Sequence, residues 1–313
     1  MYSVVIPVFG NEASLPELLE RLEKMSADLD SPLEAVFVVD GSPDKSHEFL
    51  RQALREVSFC SQLLLLSRNF GSFPAIRTGL RYAKGSHFAV LSADLQEPPE
   101  LIPELFRTLT SEPCDLVFGK REGRADPFFS RLSAQTFWSA YRALVQPEMP
   151  VGGVDVIACN ENVRRHLLEM ESIRTSLVGQ LVWLGFRTRE VAYTRAERMH
   201  GKSQWTWSKK MAYFQDSFFS FTDAPIRILL TLGVLGTALS LVLGLVILTA
   251  KLTGDIAVPG YTATVLIVLF FAGINLLSLG IIGSYAHRAY ENTKGRPAAV
   301  VMLHEQWGEE AGQ

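Results

Sequence analysis

Two oxygen-bearing side chains, Asp94 and Gln96, follow directly on an apolar run from His87 to Leu91 and precede Glu97-Pro98-Pro99-Glu100. A buried strand that delivers a carboxylate and an amide oxygen to its carboxyl end, with a proline-started helix beyond, suits a divalent cation held against phosphates. That chemistry points to a nucleotide diphosphate as ligand. Comparable polar groups recur. Pro7, Asn11 and Glu12 close a first strand-like run, Asp40, Ser42 and Asp44 a second, and Arg68, Asn69 and Gly71 a third. Asp-Gly-Ser alone is an ordinary turn, but four such junctions in succession exceed turn chemistry.

The elements that must position these groups alternate. Strands are expected over Tyr2 to Val8, Leu33 to Val39, Gln62 to Ser67 and up to Leu91. Helices are expected near Ser14 to Met25, where Ser14 and Glu17 match a capping box, over Lys45 to Val57, and over Phe73 to Ala83. Four strand-to-helix alternations predict a Rossmann-like α/β domain with a mainly parallel, doubly wound sheet whose binding loops share one edge.

Composition narrows the partners. A formal charge of −3 gives no global basic field, so nucleic acid is excluded as an expected partner. Cys60, Cys114 and Cys159 make no Cys-x-x-Cys pair, and the six histidines lack zinc-ligand spacing. The amino terminus runs straight into Val4-Val5-Ile6 without a secretory signal pattern, so the catalytic part is expected inside the cell.

Beyond about Ala224 the pattern changes. The 23 residues between Arg227 and Lys251 carry no charge, and at ~1.5 Å each they reach about 34 Å, enough for a hydrocarbon core of ~30 Å. A second uncharged stretch runs from Tyr261 to Ala286. His287, Arg288, Lys294 and Arg296 follow it, and Lys209, Lys210 and Arg227 precede the first, while the connector holds only Lys251 as a cation. The expectation is an integral protein of the cytoplasmic (inner) membrane with two spans, both termini and the catalytic domain being cytoplasmic. Glycines at 233, 236, 244, 273, 280 and 283 permit close helix contact, including packing of a homo-oligomer, without requiring it. The expected organisation is a catalytic domain over 1–207, a juxtamembrane interfacial helix over 208–226, a two-helix transmembrane hairpin over 227–287 and a cytoplasmic tail over 288–313.

Five segments together resemble the family 2 glycosyltransferases, and within them the polyprenyl-phosphate sugar transferases of the dolichyl-phosphate mannose synthase type. They are Val5-Ile6-Pro7-Val8-Phe9-Gly10-Asn11-Glu12, Val39-Asp40-Gly41-Ser42-Pro43-Asp44, Ser67-Arg68-Asn69-Phe70-Gly71, Ala93-Asp94-Leu95-Gln96-Glu97-Pro98-Pro99-Glu100 and Lys294-Gly295-Arg296-Pro297. The resemblance implies a GT-A nucleotide-sugar-binding domain followed by two transmembrane helices. It also implies Mg²⁺ or Mn²⁺ as cofactor, and inverting transfer of a hexose-type sugar from a UDP- or GDP-linked donor to polyprenyl (undecaprenyl or dolichyl) phosphate.

On this resemblance Pro7, Phe9, Glu12, Asp40, Ser42, Arg68, Asn69, Gly71 and Asp94 meet the nucleotide sugar. Arg195, Arg198 and Ser203, in an Arg-x-x-Arg-x-x-Gly-x-Ser segment, close over the diphosphate. Asp94 and Gln96 hold the metal. Arg121, Arg131 and Ser133 are assigned to the acceptor phosphate, since several negative charges in one cleft call for arginine; Arg131 also opens an amphipathic stretch to Leu144 suited to a membrane interface. Asp94 and Asp155 are the catalytic candidates, Asp155 aligning with the aspartate of a Gly-Asp-Phe motif although Val154 replaces its glycine. The bland alternatives are a helix cap for Asp94 and a structural turn acid for Asp155.

The chain departs from the family pattern at Val39 and Ser92, where relatives often carry an additional aspartate. Two other functions stand beside the main one. A processive polysaccharide synthase would carry a Gln-x-x-Arg-Trp signature, which Gln204-Trp205 and Gln180-Leu181-Val182-Trp183 only approach. A non-enzymatic nucleotide-sugar-sensing membrane adaptor is the reading that Val39 and Ser92 encourage.

Overall fold

The computed structural model describes residues 1–121, 147–148, 150, 154–170, 176–194, 221–222, 224–253 and 260–308. They fall into two compact units, Met1–Ser217 with Arg296–Gln313, and Phe218–Gly295.

The first unit is built on an eight-stranded sheet of order β7-β5-β6-β4-β1-β2-β3-β8. Its centre consists of β1 (Tyr2–Val8), β2 (Leu33–Val39), β3 (Cys60–Leu66) and β4 (His87–Val90), all parallel. β1 and β2 read as continuous apolar runs because both of their faces are covered. Tyr2, Val4, Ile6 and Val8 share one face with Leu33, Ala35, Phe37 and Val39, and that face packs against α1 (Leu15–Ala27) and α4 (Leu101–Ser111). α1 buries Leu15, Leu18, Leu22 and Met25 at helical spacing. On the opposite face lies α3 (Ser72–Tyr82), in contact with β1 and β2. Its approach is so close that a Cβ on Gly79 would stand 2.3 Å from Val5 Cγ1.

The flanks make the sheet mixed. β5 (Leu116–Arg121) runs parallel to β7 (Thr188–Tyr193), whereas β6 (Val156–Asn160) is antiparallel to both β4 and β5. α2 (Ser46–Ala53), α5 (Glu161–Glu169) and α6 (Leu177–Trp183) complete this unit's described helices. At the far edge β8 (Val301–Trp307) pairs antiparallel with β3. The segment beyond the apolar helices therefore contains a sheet strand, where the sequence suggested only a tail.

A second difference concerns α1. The Ser14–Glu17 capping box does not form: Ser14 makes no side-chain cap, and its hydroxyl donates instead to Ala93 O at 2.7 Å. A partner 79 positions away replaces the local one.

The second unit contains α7 (Ala224–Leu252) and α8 (Tyr261–Thr293), about 44 and 50 Å long at ~1.5 Å per residue. Among the described residues one segment, Phe270–Thr293, is long and apolar enough to cross a membrane, and Ala224–Gly236 is a shorter apolar stretch. Large apolar side chains such as Leu230, Phe270 and Leu276 are exposed. Gly236 faces the Phe271 ring, while Gly233, Gly273, Gly280 and Gly283 have nothing within 4 Å of a built Cβ.

Candidate active site

The loops after β1 and β2 hold each other. Glu12 donates its backbone N–H to Asp44 Oδ2 at 2.9 Å, and Lys45 donates its own to Glu12 Oε2 at 3.0 Å. Gly10 N–H donates to Ser42 Oγ at 2.8 Å, and Ser42 Oγ in turn lies 2.6 Å from Asp44 Oδ1. Burial works against the Asp44 charge, but hydrogen bonds from Ser42, Ser46 and the Glu12 amide outweigh it and hold the carboxyl below its ordinary range.

Asp40 ties the second loop to the third. Its two oxygens accept from Phe70 N at 2.7 Å and Gly71 N at 2.8 Å. Burial raises its pKa, with the two amides and the Arg68 charge opposing. Gly41 lets these loops meet: it sits at φ +58°, and a Cβ there would stand 2.4 Å from Arg68 C and Asn69 N. The Arg68 guanidinium lies 4.2 Å from the centre of the Phe70 ring. Pro7 is the penultimate residue of β1, opposite Val38, and Phe9 N–H donates to Asn11 Oδ1. The described residues among those expected to meet the nucleotide sugar are thus gathered at the carboxyl ends of β1 to β4.

Asp94 lies on the same edge, just past β4. Its Oδ1 accepts from Ser92 Oγ at 2.9 Å and from Gln96 N at 3.2 Å. It caps no helix; α4 begins at Leu101 with Glu100 in the cap position. Leu95 between them sits at φ +58°, a conformation costing a non-glycine residue about 1–2 kcal/mol. Burial of its side chain to 4% exposure holds it there. The Ser92 hydroxyl also contacts Glu97, whose side chain is fully buried. Among the described residues no group of three or more His, Cys, Asp and Glu side chains is arranged to hold a metal alone. Asp94 and Gln96 nevertheless offer oxygen donors only, a set that fits Mg²⁺ or Mn²⁺, whose remaining positions water and substrate phosphates commonly fill.

A second cluster stands at the ends of β5 and β7. Arg121 Nη2 forms an ion pair with Asp155 Oδ2, and Tyr193 Oη donates to that oxygen at 3.1 Å. Burial first, then the charges of Asp155 and Glu97, push the Tyr193 hydroxyl well above its ordinary pKa. Asp155 and Arg121, chosen on separate grounds, are brought together here. Glu97 and Tyr193 were missed: Glu97 lies inside the Asp94 motif but glutamate is rarely buried, and Tyr193 shows only as the last residue of an alternating strand. Arg131, Ser133, Arg195, Arg198 and Ser203 lie outside the described residues.

Residues 3–170 match the glycosyl transferase family 2 profile. The undecaprenyl-phosphate 4-deoxy-4-formamido-L-arabinose transferase of Proteus mirabilis (strain HI4320) is 31% identical over 297 residues, covering 94% of this chain and 91% of its own length. A bactoprenol glucosyl transferase of Shigella phage SfV is 28% identical over 305 residues, covering 97% and 99%. A glucosyl-3-phosphoglycerate synthase from Mycobacterium tuberculosis, crystallised with Mn²⁺, UDP and phosphoglyceric acid, superposes with a TM-score of 0.48 at 19% identity, over 64% of this chain and 72% of that one. With its strand-end loops converging on one edge of a GT-A-like mixed α/β sheet, and a family match across more than half its length, the chain belongs to glycosyl transferase family 2.

Proposed function

We propose that this chain transfers a hexose-type sugar, with inversion, from a UDP- or GDP-linked donor to polyprenyl phosphate, giving a lipid-linked sugar. The observation that carries the reading is the convergence of the Glu12, Asp40, Asp44 and Asp94 loops on one sheet edge. Family membership and the lipid-phosphate transferases among its relatives support it.

On this reading Pro7, Phe9, Glu12, Asp40, Ser42, Arg68, Asn69 and Gly71 surround the nucleotide, and Arg195, Arg198 and Ser203 close over the diphosphate. Asp94 and Gln96 would hold Mg²⁺ or Mn²⁺, which when bound supplies positive charge to the departing diphosphate. Arg121, with Arg131 and Ser133, receives the acceptor phosphate. A phosphate monoester has a second pKa of about 6 and is largely a dianion near neutral pH, so it needs no strong base. Asp155 orients it. α7 and α8 both span the cytoplasmic membrane, leaving both termini and the catalytic unit on its cytoplasmic side and keeping the enzyme where a lipid acceptor resides.

The test supplies purified full-length chain with radiolabelled UDP- and GDP-hexoses and Mn²⁺, with and without polyprenyl phosphate. An organic-soluble, mild-acid-labile product that requires the lipid is expected. Asp94→Asn is expected to lower its formation at least about a hundredfold while the protein still folds. Absence of lipid product with every donor, or an Asp94→Asn variant of near-normal activity, overturns the corresponding assignment.

A further inference from the structure

Arg121 and Tyr193 are register partners in the parallel pairing of β5 with β7, each the last residue of its strand. Asp155 stands one residue before β6, on the other side of β5. The register brings a guanidinium and a phenol to one carboxylate oxygen, Asp155 Oδ2. The two donors differ in what else they can do. Tyr193 as a residue is 6% exposed, and its hydroxyl carries a single proton to give. The guanidinium has five N–H groups in a planar fork, a shape that matches a phosphate as well as a carboxylate.

An incoming anion therefore competes with Asp155 for Arg121, and it cannot compete in the same way for the buried tyrosine. A carboxylate deprived of its guanidinium beside a phosphate dianion is repelled by it. Only a second, neutral donor keeps that carboxylate in place.

We propose that Tyr193 is a positioning residue for the transfer: its hydroxyl retains Asp155 at the sheet edge when Arg121 turns from that carboxylate to an anionic, phosphate-bearing acceptor. The proposal rests on the acceptor assignment above and adds an exchange of partners to it. Asp155 is held by Arg121 and Tyr193 together in the free enzyme, and by Tyr193 alone in the acceptor complex.

Farnesyl phosphate serves as a short acceptor probe, with binding measured by calorimetry on the full chain in detergent and turnover followed by lipid product. Tyr193→Phe keeps the ring and removes only the oxygen, so its melting temperature is expected within a few degrees of the parent. Acceptor binding and acceptor kcat/KM are expected to fall roughly threefold to tenfold, part of the worth of a hydrogen bond to a charged group because the bond is already present, shared with Arg121, in the free enzyme, with donor KM changed less than about twofold. Asp155→Asn is expected to bind farnesyl phosphate more tightly than the parent, since it releases Arg121 and removes a like charge. In an Asp155→Ala background, which leaves the tyrosine no side-chain acceptor at that position, the tyrosine substitution is expected to change binding by less than about twofold. Equal acceptor binding by Tyr193→Phe and parent, weaker binding by Asp155→Asn, or an undiminished tyrosine effect in the double variant would each overturn the exchange. A parent that binds farnesyl phosphate but forms no lipid product would overturn the proposed function while leaving the exchange intact.

Discussion

Glu12 and Asp44 are bound to each other's loops in both directions: the Glu12 amide donates to the Asp44 carboxylate, and the amide after Asp44 donates to the Glu12 carboxylate. Two residues that look like ligand contacts in the sequence thus also act as the braces of the site. Asp44→Ala removes acceptors for the Glu12 amide, Ser42 and Ser46 together. It is expected to lower stability by about 1–2 kcal/mol and to raise donor KM, measured by thermal melting and initial rates. The Asp44 carboxyl is held low, so its contribution is present above the ordinary carboxylate pKa and is lost as pH falls through the depressed value.

Ser92 occupies a position where relatives often carry an aspartate, and restoring that acid is expected to harm the fold. The hydroxyl touches Asp94 Oδ1 and the buried Glu97 carboxylate, so Ser92→Asp sets a third carboxylate against two others and removes the proton between them. A loss of roughly 1–3 kcal/mol is expected in chemical denaturation. Added Mn²⁺ is expected to raise the variant's melting temperature more than the parent's, because a cation offsets the added charge. A variant as stable as the parent without metal would contradict this account.

The edge strand carries a pH dependence. Gln62 Nε2 donates to Glu34 Oε1 and Tyr82 O, which turns its carbonyl oxygen toward His304 Nε2 at 2.8 Å. Burial, then the nearby Lys84 charge, holds the His304 pKa below its ordinary value. The unfolded chain therefore takes up the proton first on acidification. The stabilisation is complete above about pH 6.5 and is lost as pH falls through the lowered native value. Hydrogen exchange of residues 301–307, corrected for intrinsic rates, is expected to show less protection at about pH 5 than at about pH 7.5, and His304→Asn is expected to flatten the difference.

β1 and β2 were legible to the residue because each is an unbroken apolar run between turn-forming groups, and covered parallel strands have no other pattern to show. The place of Asp94 was legible for the same reason: a strand end followed by prolines locates a loop without knowledge of its neighbours. What stayed hidden depends on distant pairing. Ser14 matches a capping box and is drawn away by Ala93 O; Asp155 shows no sign in sequence of its ion pair with Arg121, which exists only once β5, β6 and β7 are in register. β8 was missed because its partner β3 lies more than two hundred residues earlier, across both apolar helices. Tyr193 and Glu97 are ordinary residues locally and acquire a role only through the company that the sheet gives them.

The edge position of β8 bears on biosynthesis. Ser61 to Leu66 find their antiparallel neighbour in a segment translated only after both long helices. A ribosome must therefore deliver both long helices before the first unit can acquire its outermost ladder. Maturation of that unit is coupled to synthesis of those helices, and a nascent chain stalled before Val301 exposes β3 as an unfinished margin.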